Sequence, residues 1–309
     1  LVLIDEEGRM GIGEASPLPG HSQESLSDCI LALDGIHSRV TWDVSGWPSG
    51  SQLATTPSAL FALETALLDL MARRAGVSVA KWLGGVEQPI ARNAVVQSLE
   101  QAEAAWARGI RTLKVKVGDR QKEASKELHF LSSLRHRFGP DLNLRFDANA
   151  AWSIEEARAQ LAAYVDVDPE FVEQPVGVES LAQLGPCAVP WAADESLADD
   201  VQADALLMNK DCAALVLKPA LLGFRRTRAL ALAAHAKGIG VVITHSLDGP
   251  VGLASACELA LSLPFAPRSC GLDGHPGLSA WPPVPIPHHS GSAALIVPSG
   301  YAGLGFPTE

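Results

Sequence analysis

The chain has 309 residues, 47% of them hydrophobic and 19% charged, with a formal net charge of −11 at pH 7. That length holds one barrel-sized domain and a smaller one, and the apolar fraction can fill a large core. An acidic chain without a basic run lacks the electrostatic footprint of a nucleic-acid or acidic-membrane binder, so a small-molecule partner is expected.

Cys29, Cys187, Cys212, Cys257 and Cys270 lie far apart with no C-x-x-C pair. This pattern predicts reduced thiols filling a core in a cytoplasmic protein, not a disulfide frame or a zinc site. No apolar run reaches the roughly 18 to 20 residues of a membrane span, and the N-terminus lacks a signal-peptide pattern. The helical outer faces offer no self-complementary stripe, so self-association stays open.

The chain opens in an apolar strand-like run at 1–4, ahead of which a first hairpin strand is expected to be missing. Residues 11–20, GIGEASPLPG, are rich in turn formers and lead into a helix over 23–37 with Ser22 as its cap. Leu60, Leu63, Leu67, Leu70 and Met71 recur at helical spacing over 58–75, Gly76 caps that run, and Gly84, Gly85 and Pro89 read as a boundary. Residues 1–87 are therefore expected to form a small α+β domain.

Beyond Pro89 a unit of short apolar strand, turn and amphipathic helix repeats. Strands are predicted at 91–97, 112–118, 142–149, 171–174, 191–195, 213–219, 240–245 and 270–272, with helices such as 120–138, 153–165 and 224–237. Eight strands alternating with helices over 88–285 predict a (β/α) barrel, with a doubly wound open sheet as the structural alternative. The tail, 286–309, carries a possible strand at 294–297 that returns to the first domain.

Barrel enzymes place chemistry at the C-terminal ends of strands, so the informative residues are those that break the apolar pattern late in a strand. In Thr112–Gly118, Lys114 and Lys116 share one strand face opposite Leu113, Val115 and Val117. Two stacked lysines repel, and burial would disfavour their charge, a route to a base near neutral pH. Asp147, Glu173, Asp194 and Lys218 each come late in a later strand. Lys116, Asp147, Glu173, Asp194 and Lys218 follow one another at intervals of 31, 26, 21 and 24 residues, each about one strand–helix unit. Three neighbouring carboxylates call for a hard divalent cation with oxygen ligands, most simply Mg²⁺ with Mn²⁺ as a substitute. Flanked by lysines, such a cation suits removal of the proton α to a carboxylate, the arrangement found in the enolase superfamily.

The K-x-K of Lys114 and Lys116 and the segments FDAN, VEQP, ADES and LKP resemble the muconate-lactonizing subgroup of that superfamily over nearly the whole chain. The resemblance implies a (β/α)₇β TIM-like barrel with an N-terminal α+β capping domain and metal ligands Asp147, Glu173 and Asp194. Within the subgroup, GEASPLPGHSQESL, the 241–260 segment, CGLDG and the closing GLGF are similar to the o-succinylbenzoate synthases. That family dehydrates a cyclohexadiene carboxylate, SHCHC, to o-succinylbenzoate in menaquinone synthesis, a lyase reaction. It implies Lys116 as the base that takes the α-proton and returns it to the leaving hydroxyl. Lys218 then stabilises the enediolate anion and Lys114 supports Lys116. Arg145, Asn149 and Glu195 are expected to orient the ligands and base, and Pro19, Gly20, His245 and Ser246 to border the substrate. His245 stands where the family often has a small hydroxyl residue, and Asp248 where it often has Glu; a protonated His245 could meet an anionic substrate. Dipeptide epimerases usually carry Asp-x-Asp at the eighth strand, where this chain has Gly271 and Asp273. The alternatives are an N-acylamino acid racemase or dipeptide epimerase using the same parts, and a catalytically silent carboxylate-binding barrel.

Overall fold

The structure is a computed structural model that describes residues 1–36, 53, 55–119, 121, 123–282, 284–289 and 293–306. The chain begins with an antiparallel hairpin of β1 (Val2–Ile4) and β2 (Met10–Ile12). Helix α1 (Leu26–Asp34) follows, and its cap is Ser25, not the expected Ser22. Ser25 and Asp28 form a reciprocal capping box, whereas the Ser22 hydroxyl accepts the Leu18 N–H in the turn before it. His37, the expected end of this helix, lies outside the described residues. Helix α2 (Pro57–Ala75) starts at a proline and ends on Gly76 in the left-handed region at φ 67°. The hairpin lies directly on α2: a Cβ at Gly11 or Gly13 would fall within 2.2 Å of the Ala66 or Ala62 carbonyl oxygen.

A short helix α3 (Val79–Trp82) leads to β3 (Ile90–Ala91) and β4 (Asn93–Val95). The single strand expected at 91–97 is thus divided, since β3 pairs antiparallel with the tail strand while β4 enters the barrel. There follow α4 (Leu99–Ala107), β5 (Thr112–Lys116), α5 (Ala124–Phe138), β6 (Asn143–Asp147), α6 (Ile154–Ala163), β7 (Phe171–Glu173) and β8 (Trp191–Ala193). Then come α7 (Asp200–Leu207), β9 (Cys212–Leu217), α8 (Pro219–Leu222), α9 (Phe224–Ala236), β10 (Gly240–Ile243), α10 (Pro250–Leu261) and β11 (Leu295–Ile296).

Strands β4 to β10 form one parallel sheet in sequence order. The eighth strand is reduced to parallel bridges at Cys270, paired with Arg92, and Gly271, paired with Thr244, which join the two edges. The fold is a (β/α)₇β barrel under an α+β capping domain, and the open-sheet alternative falls away. The tail strand β11 pairs with β3, just beyond the expected first domain, and residues after it reach α2: Asp69, 0% exposed, accepts N–H groups from Ile12 of β2 and Leu304 of the tail and pairs with Arg73.

Strand alternation sorts the barrel residues by face. Leu113, Val115, Leu144, Phe146, Val172, Trp191, Leu215, Leu217, Val241 and Ile243 join the large core that packs against the helices. Phe171, Ala192, Ala214, Val216 and Val242 form a separate inner cluster. Two residues beyond Phe171, Ala192 and Val216, on the same face, stand Glu173, Asp194 and Lys218. All five cysteines are unpaired and only Cys187 is not fully buried. Among the described residues, no helix is long and apolar enough to cross a membrane.

Candidate active site

The sheet register brings the charged strand ends to one level. Lys116 pairs with Asp147 and Asp147 with Glu173 on successive parallel strands, and Glu173 pairs with Ala192, two residues before Asp194. Asp147, Glu173 and Asp194 are 3%, 1% and 5% exposed, a burial that carboxylates tolerate only with compensating charge. The Lys114 ammonium supplies it, 2.9 Å from Asp147 Oδ2 and 2.7 Å from Glu173 Oε1, and Lys218 donates to Asp194 Oδ2.

The expectation that burial tunes the stacked lysines downward is overturned at Lys114. Burial does oppose its charge, but Glu173, Asp147 and Asp194 outweigh that and push the ammonium above its ordinary range. Lys218 is raised in the same way, with Asp194 and Glu173 overcoming burial. Burial also raises Glu173 well above the carboxylate range against the pull of Lys114, while Asp194 stays low because Lys218 and Lys114 outweigh its burial. Lys116 sits exposed at the end of β5 and has no carboxylate partner among the described residues. Lys114 and Lys218 are thus held as cations.

Several other expected residues gather here. The Asn149 N–H donates to Asp147 Oδ1 at 3.1 Å and its side-chain amide to Glu195 Oε1 at 3.2 Å, with Asn149 itself at φ 43°. Arg145 does not join them, which corrects its expected role. Its side chain lies lower in the barrel, on Glu170 at 2.7 Å and the Ser269 carbonyl at 2.6 Å, stacked over Phe171. Pro19 and Gly20 stand exposed on the capping loop. His245 Nδ1 accepts the Leu247 N–H, so Nε2 carries the proton and donates to the Asp273 carbonyl at 3.1 Å. Burial, then His275 beside it, hold its pKa near about 4, so at neutral pH the ring is not the cation expected to meet an anionic substrate. Ser246 is buried, its hydroxyl without a partner among the described residues.

Gln174, which the sequence reading passed over, ties two ligand turns together. It is fully buried at φ 39°, accepts the Asp194 and Ser196 N–H groups and donates to the Val176 carbonyl and Ser196 hydroxyl. Its place directly after Glu173 was the available signal. Among the described residues no three acids are placed to hold an ion as they stand, and the Lys114 ammonium lies between Asp147 and Glu173. The donor set nonetheless fits a hard divalent cation: three buried carboxylates at one level, two of which already reach a common positive centre at 2.7–2.9 Å.

Residues 97–307 match the family described as enolase C-terminal domain-like. An o-succinylbenzoate synthase of Edwardsiella ictaluri is 32% identical over 93% of this chain and 87% of that protein. The chain belongs to the enolase superfamily. A chloromuconate cycloisomerase of Cupriavidus pinatubonensis is 30% identical over 89% of this chain and 80% of that one. A dipeptide epimerase of Methylococcus capsulatus, solved with Mg and the dipeptide L-Arg-D-Lys, superposes with a TM-score of 0.84 at 26% identity, over 98% and 90% of the two chains. This enolase-superfamily chain is an enzyme, and its likeness to o-succinylbenzoate synthases over most of its length makes it a lyase.

Proposed function

We propose that the enzyme is an o-succinylbenzoate synthase, a cytoplasmic hydro-lyase of menaquinone synthesis acting on SHCHC. The eighth strand carries the choice among relatives. A side chain at Gly271 would come within 2.4 Å of Thr244 Oγ1, and the Asp273 carboxylate is taken by Arg92 and Arg108. Among the described residues of that strand no acid is free to hold a substrate ammonium, which a dipeptide epimerase needs. The o-succinylbenzoate synthase relatives at 32% identity support the same reading.

Asp147, Glu173 and Asp194 would hold the divalent cation, Mg²⁺ or in its place Mn²⁺. When bound, it supplies positive charge for the substrate carboxylate and for the negative charge that develops on it. Lys116, without a carboxylate partner among the described residues, takes the proton from the carbon α to that carboxylate. The Lys218 ammonium, across the mouth, stabilises the enediolate anion by its fixed charge. The ring C–O bond then breaks, Lys116 returns its proton to the departing hydroxyl, and water leaves as the ring becomes aromatic. Lys114 keeps Asp147 and Glu173 in place beneath the base. Asn149 orients Asp147 through its N–H.

The test is an SHCHC assay on the purified chain with Mg²⁺ and with excess EDTA, beside N-acylamino acids in D₂O. Dehydration that needs the metal, without deuterium entering the acylamino acids, is expected. Deuterium exchange with no SHCHC turnover would sink the proposal in favour of a racemase, and inactivity on every substrate would leave a silent barrel.

A further inference from the structure

Helices α2, α9 and α10 are among those that begin without a side-chain cap of their own. The N-cap of α10 is Gly249 and that of α9 is Gly223, neither of which has a side chain to cap with, and Thr56 before α2 makes no side-chain cap bond. Four N–H groups at each helix start need acceptors. Glutamates from the capping domain provide them. Glu14 accepts from Gly249, Val251 and Gly252 at the start of α10, Glu64 from Arg225 at the start of α9, and Glu24 from Ser58 at the start of α2.

Glu14 differs from the other two in where it stands. It is 8% exposed and opens the turn-rich loop 13–20, while the helix end it caps follows directly on β10, at the rim that carries His245 and Ser246. Close approach is built in from both sides. A Cβ at Gly249 would meet the Trp281 ring at 2.4 Å and Glu14 Oε1 at 2.7 Å, although its φ of −72° would suit any residue. A Cβ at Gly13 would lie 1.9 Å from the Ala62 carbonyl oxygen, so the root of the loop is fixed on α2. The far end is fixed by Glu24 on the same helix.

We propose that Glu14 is a positioning residue for the barrel mouth: by capping α10 it fixes the loop of residues 13–20 against the end of the seventh barrel strand, and so sets substrate affinity. Glu64 is its natural control, the same kind of cap made by a residue of α2 on a helix that does not carry the mouth loop. The inference rests on the proposed SHCHC reaction only for its kinetic readout.

The experiment compares Glu14→Gln, Glu14→Asp and Glu64→Gln by hydrogen–deuterium exchange and by KM and kcat on SHCHC. A lost cap is expected to speed amide exchange of residues 15–20 and 249–252 by ~10-fold in Glu14→Gln. KM should rise while kcat holds within about twofold, the mark of lost uniform binding. Glu14→Asp, shorter but still charged, should fall between wild type and Glu14→Gln. Glu64→Gln should speed exchange at the start of α9 and leave KM unchanged. Unaltered exchange at 15–20 in Glu14→Gln, or an equal rise in KM in Glu64→Gln, overturns the proposal. If wild type does not turn over SHCHC, the substrate reading fails and the exchange comparison still decides the role of Glu14.

Discussion

The two ends of the barrel interior use the same residue types for opposite purposes. At the lower end Arg145 and Arg268 close on Glu170 at 2.7 Å each, with Arg145 stacked on Phe171. Burial raises the Glu170 carboxyl, but the two guanidinium groups outweigh it and hold the acid below its usual range. Both guanidinium groups are spent on that one carboxylate. At the upper end three buried acids face Lys114 and Lys218, and Lys116 has no carboxylate partner among the described residues. Two arginines on one acid make a closed structural unit, whereas the upper end gathers the three acids and the lysines to which the proposed chemistry is assigned.

Lys116→Ala tests the upper end most severely. It should lower kcat by ~10³-fold, within the span of a lost general base, while Mg²⁺ affinity measured by titration calorimetry stays near wild type. A variant retaining a tenth of wild-type turnover would remove Lys116 from the base role. Arg145→Met tests the lower end. It leaves Glu170 with one partner and should cost about 3 kcal/mol of stability in denaturant unfolding, while the kcat of the folded fraction changes little. A large loss of kcat without a loss of stability would move Arg145 back into the site.

What the sequence made legible follows from periodicity. Alternation put Lys114, Lys116, Asp147, Glu173, Asp194 and Lys218 on inward faces, and the strand–helix repeat placed them at one end, because both patterns are local properties of the backbone. Arg145 misled for the same reason: alternation shows that it points inward, but not whether its long side chain reaches up or down. That was decided by Glu170, just before the neighbouring strand β7, and by the Ser269 carbonyl 124 residues away. The capping of α10 by Glu14 was illegible too, since donor and acceptor lie 235 residues apart at Gly249. The sequence shows a helix start lacking a cap, but not where its acceptor comes from.

Asp194→Asn separates charge from position at the upper end. Lys218 would lose its ion-pair partner, and the cation one of three carboxylates. Mg²⁺ affinity should fall by ~10-fold or more, with turnover partly restored at high metal concentration. Loss of turnover that no Mg²⁺ concentration relieves, with affinity unchanged, would mean that Asp194 does not hold the ion.

The smallest effect expected concerns Asp248, the acid beside Glu14 at the rim of β10. It is 1% exposed, its Oδ1 has no partner among the described residues, and Ser246 N–H reaches Oδ2 only at 3.4 Å. Burial, then the charge of Glu14, push its carboxyl up to about 7; His275, which meets the Asp248 carbonyl, and His245 beside it are the other titratable groups at this rim. An acid raised in the folded state keeps a proton that the unfolded chain has already lost. Its contribution to stability is therefore intact below the unfolded carboxylate pKa and falls as pH rises toward about 7, then levels off. Asp248→Asn stays neutral throughout, so it should match wild type near pH 4, and its Tm should exceed that of wild type by a margin that widens as pH rises to about 7. Parallel Tm curves for the two proteins across pH 4–8 would show that Asp248 titrates as an ordinary surface acid, and that Glu14 holds the start of α10 without a second charge contesting it.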